Sequence, residues 1–259
     1  MAKVLAITNQ KGGVGKTTTT VNLAASLAAV GQRVLLIDLD PQGNATMGSG
    51  IDKRELPATV YHLLLGEKSL TEVRQRAEVG KYDVLPANRD LAGAEIELVN
   101  IENREMLLKD ALQPVLAEYD YILIDCPPSL NLLTLNGLCA ARAVMIPMQC
   151  EYFALEGLSD LVNTIRKVRA NLNPDLEIEG LLRTMFDPRN SLAQQVSDQL
   201  QQHFGDKVYR TVIPRNVRLA EAPSYGVPVL YHDHLSKGTL AYRALAEEML
   251  TNVAQPAQI

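Results

Sequence analysis

The sequence lacks any apolar run that approaches the roughly 18 residues needed to cross a bilayer. We expect no signal peptide, because Met1-Ala2-Lys3 leads directly into strand-like sequence. Cysteine is scarce: three occur, at positions 126, 139 and 150, and they form an odd set without paired spacing. These absences argue against a disulfide scaffold and predict a protein of the reducing cytoplasm.

An excess of positive charge is missing as well, since the 259 residues carry a net charge of −5. A uniformly basic nucleic-acid binder is therefore excluded, and any contact with DNA has to come from a local patch. No low-complexity linker or internal repeat interrupts the chain. We therefore expect one domain over residues 1–259, with a frayed tail at roughly 254–259.

A glycine-rich stretch near the amino end carries the strongest functional signal. It follows an apolar, strand-like run at 4–8 and precedes residues 21–28, which have helical apolar spacing. In this context, glycines let successive N–H groups point at phosphate oxygens, and the helix start adds partial positive charge. Lys16 can reach the β- and γ-phosphates of ATP, and the Thr17 hydroxyl can ligate Mg²⁺. The predicted phosphate cradle consists of Gly12, Gly13, Val14, Gly15, Lys16, Thr17 and Thr18.

Two further apolar runs end in acidic residues. Residues 33–40 end in Asp38 and Asp40, and residues 121–125 end in Asp125, which two prolines follow closely. Because the carboxyl ends of parallel strands meet at one edge of a sheet, these acids should lie beside the phosphate cradle. Asp125 has the form of a Walker B aspartate, which helps to hold the metal, usually through water. Phosphoryl transfer to water needs positioning and charge neutralisation, so this set of groups predicts ATP hydrolysis.

Strands and helices alternate along the whole chain. We expect later strands at 143–147, 179–186, 208–213 and 227–231, and helices at 155–169, 191–203 and 239–253. The alternation predicts a single α/β domain of the doubly wound type, with a mostly parallel twisted sheet and helices on both faces.

The glycine-rich loop departs from the usual phosphate-binding pattern in one respect. The expected first glycine is replaced by Gln10, and an additional lysine, Lys11, follows it. This variant resembles the deviant Walker A loop of the ParA/MinD family of dimerising ATPases, in which the early lysine reaches the partner's nucleotide. Two lysines in one loop repel each other unless anionic phosphate lies between them, so ATP should favour the arrangement that uses both Lys11 and Lys16. If Lys11 serves the partner's site, ATP holds a dimer together and hydrolysis loosens it.

The resemblance extends over the whole chain, to the ParA/Soj type of chromosome-partitioning ATPase. Similar blocks occupy 11–18, 36–44, 124–129, 151–157 and 213–224. The resemblance implies slow ATP hydrolysis with Mg²⁺ and a homodimer in the ATP state. It also implies binding to double-stranded DNA without sequence preference, a ParB-type partner that stimulates hydrolysis, and a cytoplasmic, nucleoid-associated location.

The resemblance also assigns roles to individual residues. Asp40 orients the attacking water, Lys11 and Lys16 act on the transferred phosphoryl group, and Asp38 has a structural role. Arg189 and Arg218 contact DNA phosphates. The remaining nucleotide-binding positions are Pro214 and Asn216, next to the adenine base, and Glu151, near the partner's ribose. A loop-capping role for Asp40 and simple loop shaping by Pro214 are the alternatives.

Two other classes of protein share parts of this pattern. A MinD-like ATPase of the membrane surface would need a basic amphipathic helix at the carboxyl end, but residues 241–250 carry acids on their polar side. An iron protein that bridges a cluster between subunits would need cysteine ligands, yet no C-x-x-C occurs. All three cysteines are better interpreted as buried apolar residues.

Overall fold

Parallel pairing of buried apolar strands builds the molecule. The computed structural model of the protein describes residues 2–254. The strands are β1 Lys3–Ile7, β2 Val34–Asp38, β3 Gln75–Ala77, β4 Tyr82–Leu85, β5 Tyr121–Asp125, β6 Ala143–Met148 and β7 Glu177–Arg183. They form one seven-stranded sheet in the order β3-β4-β2-β5-β1-β6-β7. Every pairing is parallel except that of β3 with β4.

Helices cover both faces of the sheet. They are α1 Lys16–Ala29, α2 Asn44–Gly48, α3 Val60–Leu64, α4 Leu70–Val73, α5 Leu91–Glu97, α6 Leu107–Leu112, α7 Leu132–Ala140, α8 Ala154–Asn171, α9 Ser191–Phe204, α10 Val217–Glu221, α11 Val229–His232 and α12 Lys237–Ala254. Alternate residues of a strand enter different cores: Leu35 and Ile37 pack with α3 and α5, whereas Leu36 packs with α1 and α12. The predicted doubly wound α/β fold is confirmed.

The strand register creates the edge at which the site lies. Asp125, the last residue of β5, is level with Ile7 at the end of β1 and with Asp38 at the end of β2. The loop after β1 therefore begins next to Asp125, and Asp38 lies one strand further along the same edge. This is the arrangement that the sequence predicts from strands ending in aspartate.

Two predicted strands are wrong. Between 208 and 213 only an isolated bridge forms, from Val208 to Leu181. The segment predicted as a strand at 227–231 contains the start of α11, because Pro228 cannot donate to a ladder and the N–H of Val229 binds Asn22 Oδ1 at 2.7 Å instead. The predicted frayed tail lies outside the described residues from 255 onwards. None of the helices in residues 2–254 is long and apolar enough to span a membrane.

A buried asparagine closes the end of α7. Asn173 is 3% exposed, and its Nδ2 lies 2.9, 3.2 and 2.7 Å from the carbonyl oxygens of Leu138, Cys139 and Ala141. The last carbonyls of a helix have no partner within the helix, so a side-chain donor satisfies them. Asn173 thereby fastens α7 to the turn after α8.

We predict that Asn173→Ala lowers the free energy of unfolding by about 2–3 kcal/mol, because buried carbonyls lose their donor. Urea unfolding followed by circular dichroism measures this change. Asn171→Ala is the matched control, since exposed Asn171 donates only to the carbonyl of Lys167 in its own helix at 2.8 Å. An equal loss in both variants would contradict the role of Asn173.

Candidate active site

The loop between β1 and α1 has the shape of an anion cradle. Gly13 and Gly15 have φ angles of 72° and 88°, in the left-handed region that glycine adopts most readily. Asn9 shapes the loop by accepting from the N–H of Lys11 at 3.0 Å and by donating to the Pro147 carbonyl at 2.8 Å. The start of α1 has no side-chain cap and no acidic residue in its first turn. Its N–H groups are therefore available to an anion.

Lys16, the first residue of α1, has its ammonium inside this cradle. The residue is 8% exposed, and its Nζ donates to the carbonyl of Lys11 at 3.1 Å. Burial lowers the pKa of Lys16, while the carboxylates of Asp125 and Asp40 raise it. An ammonium has three N–H donors, and the Lys11 carbonyl takes one of them, so donors remain for phosphate oxygens.

Asp125 is fully buried and is held by two hydroxyls of α1. Thr17 Oγ1 donates to one carboxylate oxygen at 2.7 Å, and Thr20 Oγ1 donates to the other at 3.1 Å. Burial, together with the negative charge of Asp38, raises the pKa of Asp125 well above the ordinary carboxyl range. A nearby cation would relieve this unfavourable charge.

The donor set fits Mg²⁺, which prefers carboxylate and hydroxyl oxygens. Thr17 and Asp125 would hold the ion, with Asp125 acting through water, and Asp40 lies nearby. Across residues 2–254, no group of three His, Cys, Asp or Glu residues forms a complete metal site. The other ligands would therefore be water and phosphate oxygens, as is usual for Mg²⁺.

Asp38 and Asp40 have different surroundings. Asp38 is buried and accepts from the N–H and hydroxyl of Thr46, at 2.8 and 2.7 Å, and from the N–H of Asp40 at 3.1 Å. It organises the loop after β2. Asp40 is partly exposed, and one of its oxygens accepts from the N–H of Gln42 at 2.9 Å. This contact is the loop cap named above as an alternative, and it leaves Asp40 partly open to solvent.

A cavity of 190 Å³ adjoins the cradle. Its lining combines Gly15 and Thr18 with Pro214 and Asn216, which are distant in sequence. The structure thus brings together the predicted phosphate-binding and base-binding residues. Thr17 and Thr18 also line a neighbouring cavity of 420 Å³ between α1, α2 and the turn at 222–225.

Lys11 and Glu151 form an ion pair within the chain, with 2.5 Å between Nζ and a carboxylate oxygen. Both side chains are about half exposed, at 50% and 52%. The two lysines of the loop therefore have different partners: Lys16 binds inside the cradle, and Lys11 binds a residue of the loop after β6.

The two arginines predicted to contact DNA lie outside the cradle and are exposed. Arg189 pairs with Asp187 at 2.8 Å, and Arg218 pairs with Glu221 at 2.7 Å and with Asp233 at 3.3 Å. All three cysteines are free and buried, as the sequence predicts.

Several residues of the site are not among those predicted from the sequence. Thr20 binds Asp125, and its position three residues after Thr17 on one helix face could have indicated this. Thr184 donates to the carbonyl of Val14 at 2.7 Å, and Gln149 Nε2 approaches the carbonyl of Gly13 at 3.5 Å. Both follow strand ends at the same edge of the sheet, which is the one signal that the sequence contains for them.

Comparison with known proteins yields one consistent family. A family model described as an AAA domain matches residues 2–178. The sporulation initiation inhibitor protein Soj of Bacillus subtilis is 56% identical over 252 residues, covering 97% of this chain and 100% of Soj. The chromosome partitioning protein ParA of Caulobacter vibrioides is 54% identical over 251 residues, covering 96% of this chain and 94% of ParA.

Two solved structures are also similar. Cobyrinic acid a,c-diamide synthase from Mycobacterium smegmatis, with a bound ATP analogue and magnesium, is 40% identical with a TM-score of 0.86 and covers 98% of this chain and 97% of its own. The septum site-determining protein MinD from Pyrococcus horikoshii, complexed with Mg-ADP, is 25% identical with a TM-score of 0.80 and covers 100% of both chains.

We predict that above about pH 8, where the carboxyl group of Asp125 is ionised in the folded protein, Asp125→Asn raises the melting temperature of the nucleotide-free protein by about 2–4 °C, because a buried charge next to Asp38 disappears. Asp38→Asn is the control and should lower it, because two of the three donors to Asp38 are backbone N–H groups, which cannot accept from an amide. The two partners of Asp125 are hydroxyls, which can. Thermal unfolding measures both. A lower melting temperature for Asp125→Asn would contradict the proposed cost of the buried charge.

The same charge predicts a pH dependence. Because the pKa of Asp125 rises from 3.8 to about 8 on folding, the folded protein binds more protons than the unfolded chain between these values. Stability from this group is therefore present below pH 3.8 and is lost as pH rises towards 8. Asp125→Asn should make the decline shallower over this range, as unfolding at several pH values measures.

Proposed function

The chain belongs to the ParA/Soj family of chromosome-partitioning ATPases, and we propose that it couples ATP binding and hydrolysis to the attachment and release of DNA. It is a P-loop ATPase with the fold of this family. The MinD structure is 25% identical to the chain, against 56% for Soj and 54% for ParA. We therefore do not adopt the MinD-like function at a membrane surface.

The nucleotide is proposed to lie along the cradle, with its base in the cavity formed by Pro214 and Asn216. The first-turn N–H groups of α1 and the buried ammonium of Lys16 bind its phosphates. A magnesium ion held by Thr17 and Asp125 would neutralise charge on the phosphates. Asp40, the partly exposed acid at the carboxyl edge of the sheet, orients the water that attacks the γ-phosphate. The two similar structures hold an ATP analogue with magnesium and Mg-ADP, which supports the choice of ATP and Mg²⁺ as the ligands.

The proposed coupling of ATP to DNA attachment rests on the position of Lys11. Its ammonium pairs with Glu151 at the surface, whereas Lys16 alone has its ammonium buried in the cradle. A half-exposed ion pair of this kind contributes about 0–1 kcal/mol, so Lys11 can exchange Glu151 for phosphate at little cost. We place Lys11 in the site of a second copy, where it joins the partner's ATP, and Glu151 near that partner's ribose.

Exposed aromatic side chains support closure of two copies at this edge. Tyr152 and Phe153 directly follow Glu151, are 73% and 70% exposed, and stack edge to face at 5.0 Å. Leu130, on the loop after β5, is 47% exposed. Large exposed apolar side chains beside charged groups are typical of protein interfaces. A dimer closed over ATP would remove them from water.

One segment near the carboxyl end has a local excess of positive charge that could serve DNA. Residues 205–243 contain six Lys or Arg and three Asp or Glu, whereas the whole chain carries a net charge of −5. The ion pairs of Arg189 and Arg218 are exposed and can be replaced by DNA phosphates. A dimer doubles the few contacts of a monomer, so ATP controls DNA binding through dimerisation. A ParB-type partner then accelerates slow hydrolysis and releases the protein, which is cytoplasmic and attached to the nucleoid in its ATP form.

Lys11→Ala should still bind ATP, because Lys16 and the loop N–H groups remain. It should lose ATP-dependent dimerisation, and hydrolysis should fall by about 100-fold or more, as for loss of a cation supplied in trans. Sedimentation velocity with ADP, ATP and a slowly hydrolysed analogue measures the dimer.

Lys68→Ala is the matched control, since Lys68 pairs with Glu72 at 3.0 Å and is 43% exposed. It should dimerise normally. Unchanged ATP-dependent dimerisation of Lys11→Ala would refute the role of Lys11 in the partner's site.

Arg189→Glu should weaken binding of the ATP form to random duplex DNA by at least about tenfold and reduce the salt dependence, while sparing nucleotide binding. Fluorescence anisotropy at several salt concentrations measures both effects. Arg54→Glu is a close control. Arg54 binds Asp52, with 2.7 Å between Nη2 and the carboxylate, in an Asp-x-Arg turn of the same kind as that of Asp187 and Arg189. Unchanged DNA affinity for Arg189→Glu would remove this residue from the DNA interface.

A further inference from the structure

One peptide group of the phosphate loop is held from outside by a buried hydroxyl. Thr184 Oγ1 donates to the carbonyl oxygen of Val14 at 2.7 Å. A trans peptide is planar, so the N–H of Gly15 points in the direction opposite to this carbonyl. The hydrogen bond from Thr184 therefore fixes where the Gly15 N–H points, which is away from β7.

This peptide group needs an external anchor because the backbone around it is permissive. Gly13 and Gly15 both have positive φ, and glycine reaches several backbone conformations at similar free energy. Rotation of the 14–15 peptide would turn a carbonyl oxygen, in place of an N–H, towards the cradle. Such an oxygen would repel phosphate.

Thr184 is itself rigidly placed. It is 2% exposed, and its N–H donates to the carbonyl of Met148 at 2.8 Å, so the pairing of β7 with β6 sets its position. A Cβ on Gly15 would lie 3.7 Å from Thr184 Cγ2, in ordinary van der Waals contact. Both the methyl group and the hydroxyl of Thr184 thus face the loop.

We propose that Thr184 is a positioning residue for nucleotide phosphate, which acts by holding the Val14–Gly15 peptide with its N–H directed at the phosphates. This inference rests on the proposed binding of ATP to the cradle. It assigns to Thr184 a contribution to phosphate affinity, although its own side chain binds the protein backbone. Thr184 also lines the cavity proposed for the base. Its hydroxyl, however, binds the Val14 carbonyl, so removal of the hydroxyl alone should affect the phosphate end of the nucleotide far more than the base.

The test compares Thr184→Val, which keeps the shape and removes the hydroxyl, with Thr184→Ser, which keeps the hydroxyl. Affinities for ADP and for adenosine are measured by displacement of a fluorescent ADP analogue and by saturation-transfer NMR. Thr184→Val should weaken the affinity for ADP at least about tenfold, which corresponds to the loss of one hydrogen bond from the Gly15 N–H to a charged phosphate. The affinity for adenosine should change less than about twofold. Thr184→Ser should restore ADP affinity to near the wild-type value.

If Thr184→Val does not fold, Thr184→Ala against Thr184→Ser gives the same comparison, because only the hydroxyl distinguishes their contacts. Equal ADP affinity with and without the hydroxyl would overturn the inference. Equal losses for ADP and adenosine would also overturn it, since they would indicate damage to the adjoining cavity. Failure of the wild-type protein to bind ADP would instead refute the proposed function.

Discussion

Burial of charge at the carboxyl edge of the sheet is the constraint on which the site depends. The parallel register fixes Asp125 level with Asp38, and both carboxyl groups are fully buried. Two hydroxyls of α1 satisfy Asp125 in part, and Lys16 is buried nearby. Buried charges are costly unless they are paired and hydrogen-bonded. Phosphate and a divalent cation offset this cost, so the fold is prepared for the nucleotide before the nucleotide arrives.

The charged side chains at the surface are held less firmly than those of the buried site. Lys11, Arg189 and Arg218 each pair with an acid at the surface, where such pairs contribute little and exchange readily. Rigid inner groups recognise the nucleotide, and loosely held outer groups make new contacts with a second copy and with DNA. A switch needs this difference, because a ligand shifts an equilibrium only through unequal affinity for its two states.

The sequence predicts the inner site well for a local reason. A strand, a glycine-rich loop and a helix are adjacent in the chain, and parallel strands that end in aspartate must meet at one edge. Thr184 and Gln149 could not be assigned in the same way, because their contacts with the loop depend on how far β6 and β7 extend beside β1. Apolar runs at 208–213 and 227–231 predict strands. In the first run only the bridge of Val208 with Leu181 forms, and in the second Pro228 and the contact of Val229 with Asn22 leave no ladder.

The most direct test of the account is to mix two inactive variants, Lys11→Ala and Asp40→Ala, and to measure ATP hydrolysis. In a mixed dimer, the nucleotide on the Lys11→Ala protomer has its own Asp40 and receives Lys11 from its partner. The account predicts that hydrolysis, absent from either variant alone, reappears on mixing and varies with the ratio of the two proteins. No hydrolysis at any ratio would contradict the claim that ATP is shared between two copies through Lys11.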